Sequence, residues 1–182
     1  NTADIVIFIE KNGDKSAYDN LIRKNSTFVV SSLDEAFDLS NKLITLVFPQ
    51  KNSINFAPPD EVPCIPHDSS TPFDMISSVI KPVFDRGSFI ELYSKMNNPE
   101  TGPMLITGFA SLAGITVGII ADQPLRKGGA ADAYGTEKFR IFTELLNRRK
   151  IPLIMLSNSS GFMPGSRQEI LRIQAIGAES LD

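Results

Sequence analysis

The chain has 182 residues, the length of one ordinary domain or of parts of two. With 42% hydrophobic and 21% charged residues it can bury a core, and a net charge of −3 offers no basic surface for nucleic acid or an acidic membrane. No apolar run approaches the roughly 18 residues of a membrane span and there is no signal-peptide pattern; the single Cys64 excludes an internal disulfide and favours a reducing compartment, the cytoplasm or a mitochondrial matrix.

In chain order, ADIVIFIE (3–10) is apolar and β-branched and reads as a strand, as does TFVV (27–30). Ser32-Leu33-Asp34-Glu35 has the form of a capping box, in which Ser32 bonds the amide of Glu35 and the Glu35 carboxylate returns to the Ser32 amide. It opens a helix to about Leu46 with Leu33, Phe37, Leu39 and Leu43 on one face. The stretch PQKNSINFAPPDEVPCIPHDSSTP holds six prolines without periodicity, so the chain divides there, near residues 49–70. Thr71 is then expected to cap a helix with Pro72 at its first position and Asp74 in its first turn. Phe73, Ile76, Val79 and Ile80 form its inner stripe, and Pro82 ends or kinks it.

MLITGFASLAGITVGIIADQP (104–124) reads as two largely buried strands around a turn at Ala113-Gly114. A helix over 136–149 turns Phe139, Phe142, Leu145 and Leu146 inward and carries Arg148, Arg149 and Lys150 at its C-terminal end. Lys138, Arg140, Arg148 and Arg149 read as a solvated face. IPLIML (151–156) reads as a buried strand. Ser166-Arg167-Gln168-Glu169 has the form of a second capping box, opening a helix with Ile170, Ile173 and Ile176 or Gly177 inward.

Between that strand and that helix lies SNSSGFMPG. A helix N-terminus carries unpartnered amides that can hold an anion or a carbonyl oxygen, and glycines at 161 and 165 let a ligand approach the backbone. The same glycines would equally serve a tight strand-to-helix turn. Gly128-Gly129, beside Arg126 and Lys127, permits the same two readings. Other chemistries have little support. His67 is the one histidine, and Cys64 three residues away does not complete a metal set. A nucleophilic Ser159 or Ser160 lacks the G-x-S-x-G setting, and the phosphate-binding patterns GxGxxG and GxxxxGK[ST] do not occur. Residue chemistry alone names no catalytic residue.

The order FDMISSVI (73–80), FDRGSFIEL (84–92), ITGFASLAGITVGIIADQP (106–124), EKFRIFTELLNRRKIPLIML (137–156) and GFMPGSRQE (161–169) resembles the carboxyltransferase family of biotin-dependent acyl-CoA carboxylases and decarboxylases. Members include the β subunits of propionyl-CoA and methylcrotonyl-CoA carboxylases and the α subunit of glutaconyl-CoA decarboxylase. EAF followed by FPQ is more loosely similar to the segment that closes the family's N-terminal domain. The resemblance implies an α/β fold of crotonase-like ββα spirals, with 1–60 the tail of one such domain plus linker and 61–182 the first half of the next. It implies transfer of a carboxyl group between carboxybiotin on a carrier protein and the α-carbon of an acyl-CoA, with oxyanions held by backbone N–H pairs. Biotin would be held around Gly161, Phe162, Pro164 and Gly165, with Phe162 on the bicyclic ring. Implied partners are a biotin carboxyl carrier protein or domain, a biotin carboxylase subunit or membrane decarboxylase subunits, and further copies in a homo-oligomer. Both of the family's Gly-rich oxyanion loops fall outside residues 1–182. Asn158-Ser159-Ser160 stands where the family has Asp-x-Pro, removing a carboxylate and a rigid proline. Three functions are compatible: an acyl-CoA carboxylase carboxyltransferase, the decarboxylase subunit of a biotin-dependent sodium pump, and a catalytically silent acyl-CoA-binding or assembly module.

Overall fold

The computed structural model describes residues 5–10, 26–47, 57–59, 62–68, 70–94, 104–170 and 173–179. Within the proline-rich connection, residues 49–56, 60, 61 and 69 lie outside them. Among the described residues no helix is long and apolar enough to cross a membrane.

Strands β1 (Ile7–Ile9) and β2 (Phe28–Val30) pair in parallel, Ile7 opposite Phe28. Helix α1 (Leu33–Val47) follows. The Glu35 amide donates to Ser32 Oγ at 3.1 Å, as a capping box requires, while the Glu35 carboxylate accepts from the amide and hydroxyl of Ser31, both at 2.8 Å. The expected inner face needs correction. Leu39, Leu43, Leu46 and Val47 pack on the core, but Leu33 and Phe37 are 75% and 69% exposed. At 3.6 residues per turn, those two stand about a third of a turn off the stripe the others make.

Helix α2 (76–83) begins with a wide π turn, Ile76–Ile80, and runs on as Lys81–Val83. Asp74, not Thr71, opens it: its carboxylate accepts from the amides of Ile76 and Ser77 and from the Ser77 hydroxyl. A short carboxylate reaches amides two and three residues ahead, and this start leaves Pro72 outside the helix. Pro82 ends the helix as expected. It has no N–H for the Ser78 carbonyl four residues back, and that carbonyl accepts instead from the Cys64 amide at 3.0 Å, pinning the irregular connection onto α2.

The main sheet runs β3 (Ile90–Leu92), β4 (Leu105–Leu112), β5 (Ile115–Asp122), β6 (Leu153–Leu156), with β5 and β6 parallel and the other pairs antiparallel. The β4–β5 hairpin turns at Ala113-Gly114 as expected, both residues having positive φ (51° and 77°) and so matching the twist of the strands. Asp85 holds this turn: its carboxylate accepts from the Ser111 hydroxyl at 2.6 Å and from the amides of Ala113 and Gly114 at 3.1 and 2.8 Å.

After the hairpin, α3 (Ala133–Arg149) crosses one face of the sheet, giving the ββα order the resemblance implied. It starts at Asp132, whose carboxylate accepts from the Gly135 amide at 2.7 Å, and ends at Lys150 in a left-handed conformation. Strand alternation sorts the core into two layers. Leu105, Phe109 and Ile120 face α1 and α3, where Phe142 lies 5.6 Å from Phe109, ring to ring; Ile106, Ala110, Val117 and Ile119 face α2. Strand β6 is not the buried strand expected. It is an edge strand: Ile154 and Leu156 pack on the α2 layer, while Leu153 and Met155, on the α3 side, are 40% and 55% exposed. The second capping box is also corrected. The helix α4 (Ser166–Ile170) begins at Ser166 itself, and the Gln168 and Glu169 amides donate to the Gly165 carbonyl. Helix α5 (Ile173–Glu179) buries Ile173 against α3, but Ile170 is 79% exposed.

Candidate functional site

Two loops meet beyond the ends of β5 and β6. The first, 123–132, contains a single 3-10 turn, Lys127–Gly129; the second is 157–165. Ala131 pairs with Phe162 as an isolated parallel bridge: the Ala131 amide donates to the Gly161 carbonyl at 2.9 Å, and the Met163 amide donates to the Ala131 carbonyl at 2.8 Å. Ser159 Oγ donates to the Gly129 carbonyl at 3.0 Å and accepts from the Gly161 amide at 3.0 Å. Gly129 is required by this contact, because its φ is +71° and a Cβ there would stand 2.5 Å from the Asn158 carbonyl oxygen. To the two sequence readings of Gly128-Gly129 the structure adds a third, in which Gly129 joins the two loops.

Asp122, the last residue of β5, lies under this joint and is 6% exposed. Its Oδ2 accepts from the Asn158 amide at 2.9 Å and from the Ser157 hydroxyl at 3.2 Å. Burial raises its carboxyl above the usual carboxylate range, and the two hydrogen bonds partly offset this. Asn158 thus brings no carboxylate of its own, yet its backbone is docked on one. Ser159, in the middle of the same tripeptide, adds hydrogen bonds that hold the loop where a proline would stiffen it.

Phe162 sits on the bridge, 65% exposed, at a cavity of about 380 Å³. The walls are mainly apolar, from Leu105, Ala131, Phe139, Met155 and Phe162, with Thr136, Ser157 and Ser159 contributing hydroxyls; Asp122 is the one charged residue of the lining. Of the four positions singled out in the sequence, Gly161 and Phe162 line the cavity, whereas Pro164 and Gly165 lie past it. Both glycines have positive φ (109° and 125°), and a Cβ on either would meet nothing within 4 Å. Helix α4 is five residues long; the Glu169 amide makes the ordinary helical bond to the Gly165 carbonyl and the Gln168 amide shares that carbonyl, which takes one of the amides a helix start leaves open.

Behind the cavity, the reading of Lys138 as part of a solvated face is overturned. Lys138 is 1% exposed and its ammonium donates to the Leu105 carbonyl. Burial lowers its pKa to about 8, against the pull of Glu91 and Asp132, while burial raises Glu91. Helical spacing signals this position, since Lys138 lies four residues before Phe142 and seven before Leu145, on the inward stripe. Arg148 and Arg149 are exposed, and Arg140 is half-buried, paired with Glu137 and Glu144. Asp122 was also missed, although a lone acid closing the apolar run ITVGIIA marks a carboxylate carried inward by its strand. Among the described residues no group of His, Cys, Asp and Glu is arranged to hold a metal ion, and Cys64 is exposed.

Residues 26–182 match the family described as Carboxyl transferase domain. The propionyl-CoA carboxylase beta chain of Roseobacter denitrificans (strain ATCC 33942 / OCh 114) is 35% identical over 117 residues, 64% of this chain and 22% of that protein. The methylmalonyl-CoA carboxyltransferase 12S subunit of Propionibacterium freudenreichii subsp. shermanii is 31% identical over 170 residues, 88% of this chain and 31% of that protein. Among solved structures, a transcarboxylase 12S hexamer with methylmalonyl-coenzyme A and methylmalonic acid bound superposes with a TM-score of 0.71 at 30% identity, covering 85% of this chain and 31% of that one. The chain therefore spans 22% to 31% of the length of these relatives. With the hairpin, its crossing helix and the loop after β6 all inside the matched span, the chain belongs to the carboxyl transferase domain family.

Proposed function

We propose that this chain is the biotin-facing part of a carboxyltransferase that moves a carboxyl group between biotin on a carrier protein and the α-carbon of an acyl-CoA. The observation that carries this is Phe162: a large aromatic residue left 65% exposed on a backbone bridge, at an apolar cavity that Asp122 lines. The bridge fixes the backbone beneath this side chain, at a cavity where a flat ligand can stack on the ring. Biotin's fused rings are apolar on their faces and polar at the ureido edge, and the cavity has that division too, with apolar walls and the Asp122 carboxylate. Bound there, biotin would supply the carboxyl group or receive it; the chain's part is to hold the ring and keep water from it. Gly161 and Phe162 would make the first contact, with Pro164 and Gly165 shaping the loop behind. The oxyanion-holding amides would come from the remainder of the protein.

The same reading assigns residues 1–60 to the tail of one crotonase-like domain and 61–182 to the first half of the next. It makes a biotin carrier protein, a biotin carboxylase or membrane decarboxylase subunit, and further copies of the chain the expected partners. The test is kinetic, on the intact protein, with biotin and acyl-CoA varied separately. Phe162→Ala should raise the biotin requirement by about tenfold, the value of roughly 1–3 kcal/mol of apolar contact, and leave the acyl-CoA requirement within about twofold. A raised acyl-CoA requirement with unchanged biotin dependence would overturn the reading.

A further inference from the structure

Asp122 has only half of its hydrogen-bonding capacity in use. Oδ2 receives the Asn158 amide and the Ser157 hydroxyl, whereas Oδ1 receives no hydrogen bond among the described residues. That oxygen keeps its acceptor capacity at the cavity wall, and a ligand N–H entering the cavity would complete it. The other polar groups of the lining narrow the choice. The Thr136 hydroxyl donates to the Asp132 carbonyl, that of Ser159 to Gly129, and that of Ser157 to Asp122 itself. Each proton is directed into the protein, so what the cavity presents to a ligand is acceptor capacity and a negative charge. Such a cavity takes an N–H donor and repels a carboxylate or a carbonyl oxygen.

We propose that Asp122 orients biotin within this cavity: Oδ1 accepts a hydrogen bond from one ureido N–H, so that the other ureido nitrogen, which bears the carboxyl group in transfer, points away from the anion toward the mouth. This rests on the biotin reading above and adds direction to it. Phe162 fixes the plane of the ring; Asp122 fixes which edge enters first. A ring inserted the other way would bring two negative charges together in a largely apolar site, where their repulsion is strong.

The test is direct binding to the full-length protein, followed by ligand-observed NMR, using free biotin and biotin methylated on the nitrogen that is not carboxylated. The wild type should bind the methylated analogue at least about tenfold more weakly than biotin, as expected when a hydrogen bond to a charged acceptor is lost. Asp122→Ala should weaken biotin by a similar factor and bind the two ligands equally. Asp122→Asn keeps an oxygen for the Asn158 amide, so it carries the test if the alanine variant melts early; it should weaken biotin by about fivefold and shrink the discrimination. Discrimination unchanged in both variants, or none in the wild type, overturns the role of Asp122. If Phe162→Ala weakens biotin in the same assay while the Asp122 variants do not, only the orientation fails; if none of the three does, the biotin reading fails with it.

Discussion

The ammonium of Lys138 on α3 donates to the carbonyl of Leu105, the residue paired with Asp122 across the β4–β5 ladder, so a buried cation stands directly behind the floor of the cavity. Glu91 on β3 and Asp132 before α3 are the acids that act on it. Their attraction does not cancel the loss of hydration, and the pKa falls from 10.5 to about 8.

This lowering has a definite sign in stability. Between about pH 8 and 10.5 the unfolded chain holds the lysine proton and the folded chain has released it, so the unfolded state binds more protons and stability rises with pH across that window. The gain is on the order of 3 kcal/mol, begins as pH rises through the folded pKa of about 8, and is absent at about pH 7 and below. Lys138→Met keeps the length of the side chain without the charge and should lack the rise. Urea melts of both proteins at several pH values between 7 and 10.5 would show the wild type gaining on the variant; parallel curves would mean that Lys138 is not buried as a cation.

Asp85 offers a stability test away from the cavity. Its carboxylate gathers the Ser111 hydroxyl and two amides at the tip of the hairpin, and Asp85 is 5% exposed. Asp85→Ala leaves three donors to find new partners at a tight turn. The cost should be about 3 kcal/mol, read from the urea midpoint, because hydrogen bonds to charged groups exceed neutral ones and their removal is not additive. A loss below about 1 kcal/mol would mean that water replaces the carboxylate at the tip.

The hairpin was legible because Ala113-Gly114 separates two apolar runs with the chemistry a two-residue turn needs, and α3 because four apolar residues repeat at helical spacing. What the sequence hid depended on neighbours far along the chain. Leu153 and Met155 look like core residues, and only the position of β6 at the sheet edge leaves them open. Leu33 and Phe37 look like an inner face until the stripe that meets Phe109 is known. Lys138 stands on the inward helical stripe, but its charge reads as solvated until β3 and β4 supply its surroundings. At the site, glycines and the phenylalanine marked the loop, but Asp122 joins it through a contact 36 residues away, which no local pattern encodes.

Gly129 and Gly128 form an internal control for the joint between the loops. Both have left-handed backbone, φ +71° and +63°. A Cβ on Gly129 would meet the Asn158 carbonyl oxygen at 2.5 Å, whereas on Gly128 the nearest atom is Ser160 Oγ at 3.6 Å. Gly128→Ala should therefore cost only the backbone strain, about 1–2 kcal/mol. Gly129→Ala must also push the Asn158 segment off Asp122, for a total of about 2–4 kcal/mol, and should weaken biotin binding as well. Equal costs at the two positions would show that the loops are not locked together there.

Gly161 and Gly165 separate strain from contact. Their φ values of 109° and 125° lie where an L-residue is disfavoured, and a side chain on either would enter open space, so the folding cost of Gly161→Val and Gly165→Val should be alike, about 1–3 kcal/mol each. Only Gly161 lines the cavity. A valine at 161 would project where a ring stacked on Phe162 has to lie, whereas one at 165 would stand beyond the bridge, next to α4. Equal melting temperatures are thus expected alongside unequal ligand effects: biotin binding falling about tenfold or more for Gly161→Val and within about threefold of wild type for Gly165→Val, with acyl-CoA binding unchanged in both. Biotin binding lost equally in the two variants would place the ligand against the whole loop rather than at its cavity end. Biotin binding unchanged at Gly161→Val would remove the loop from the site.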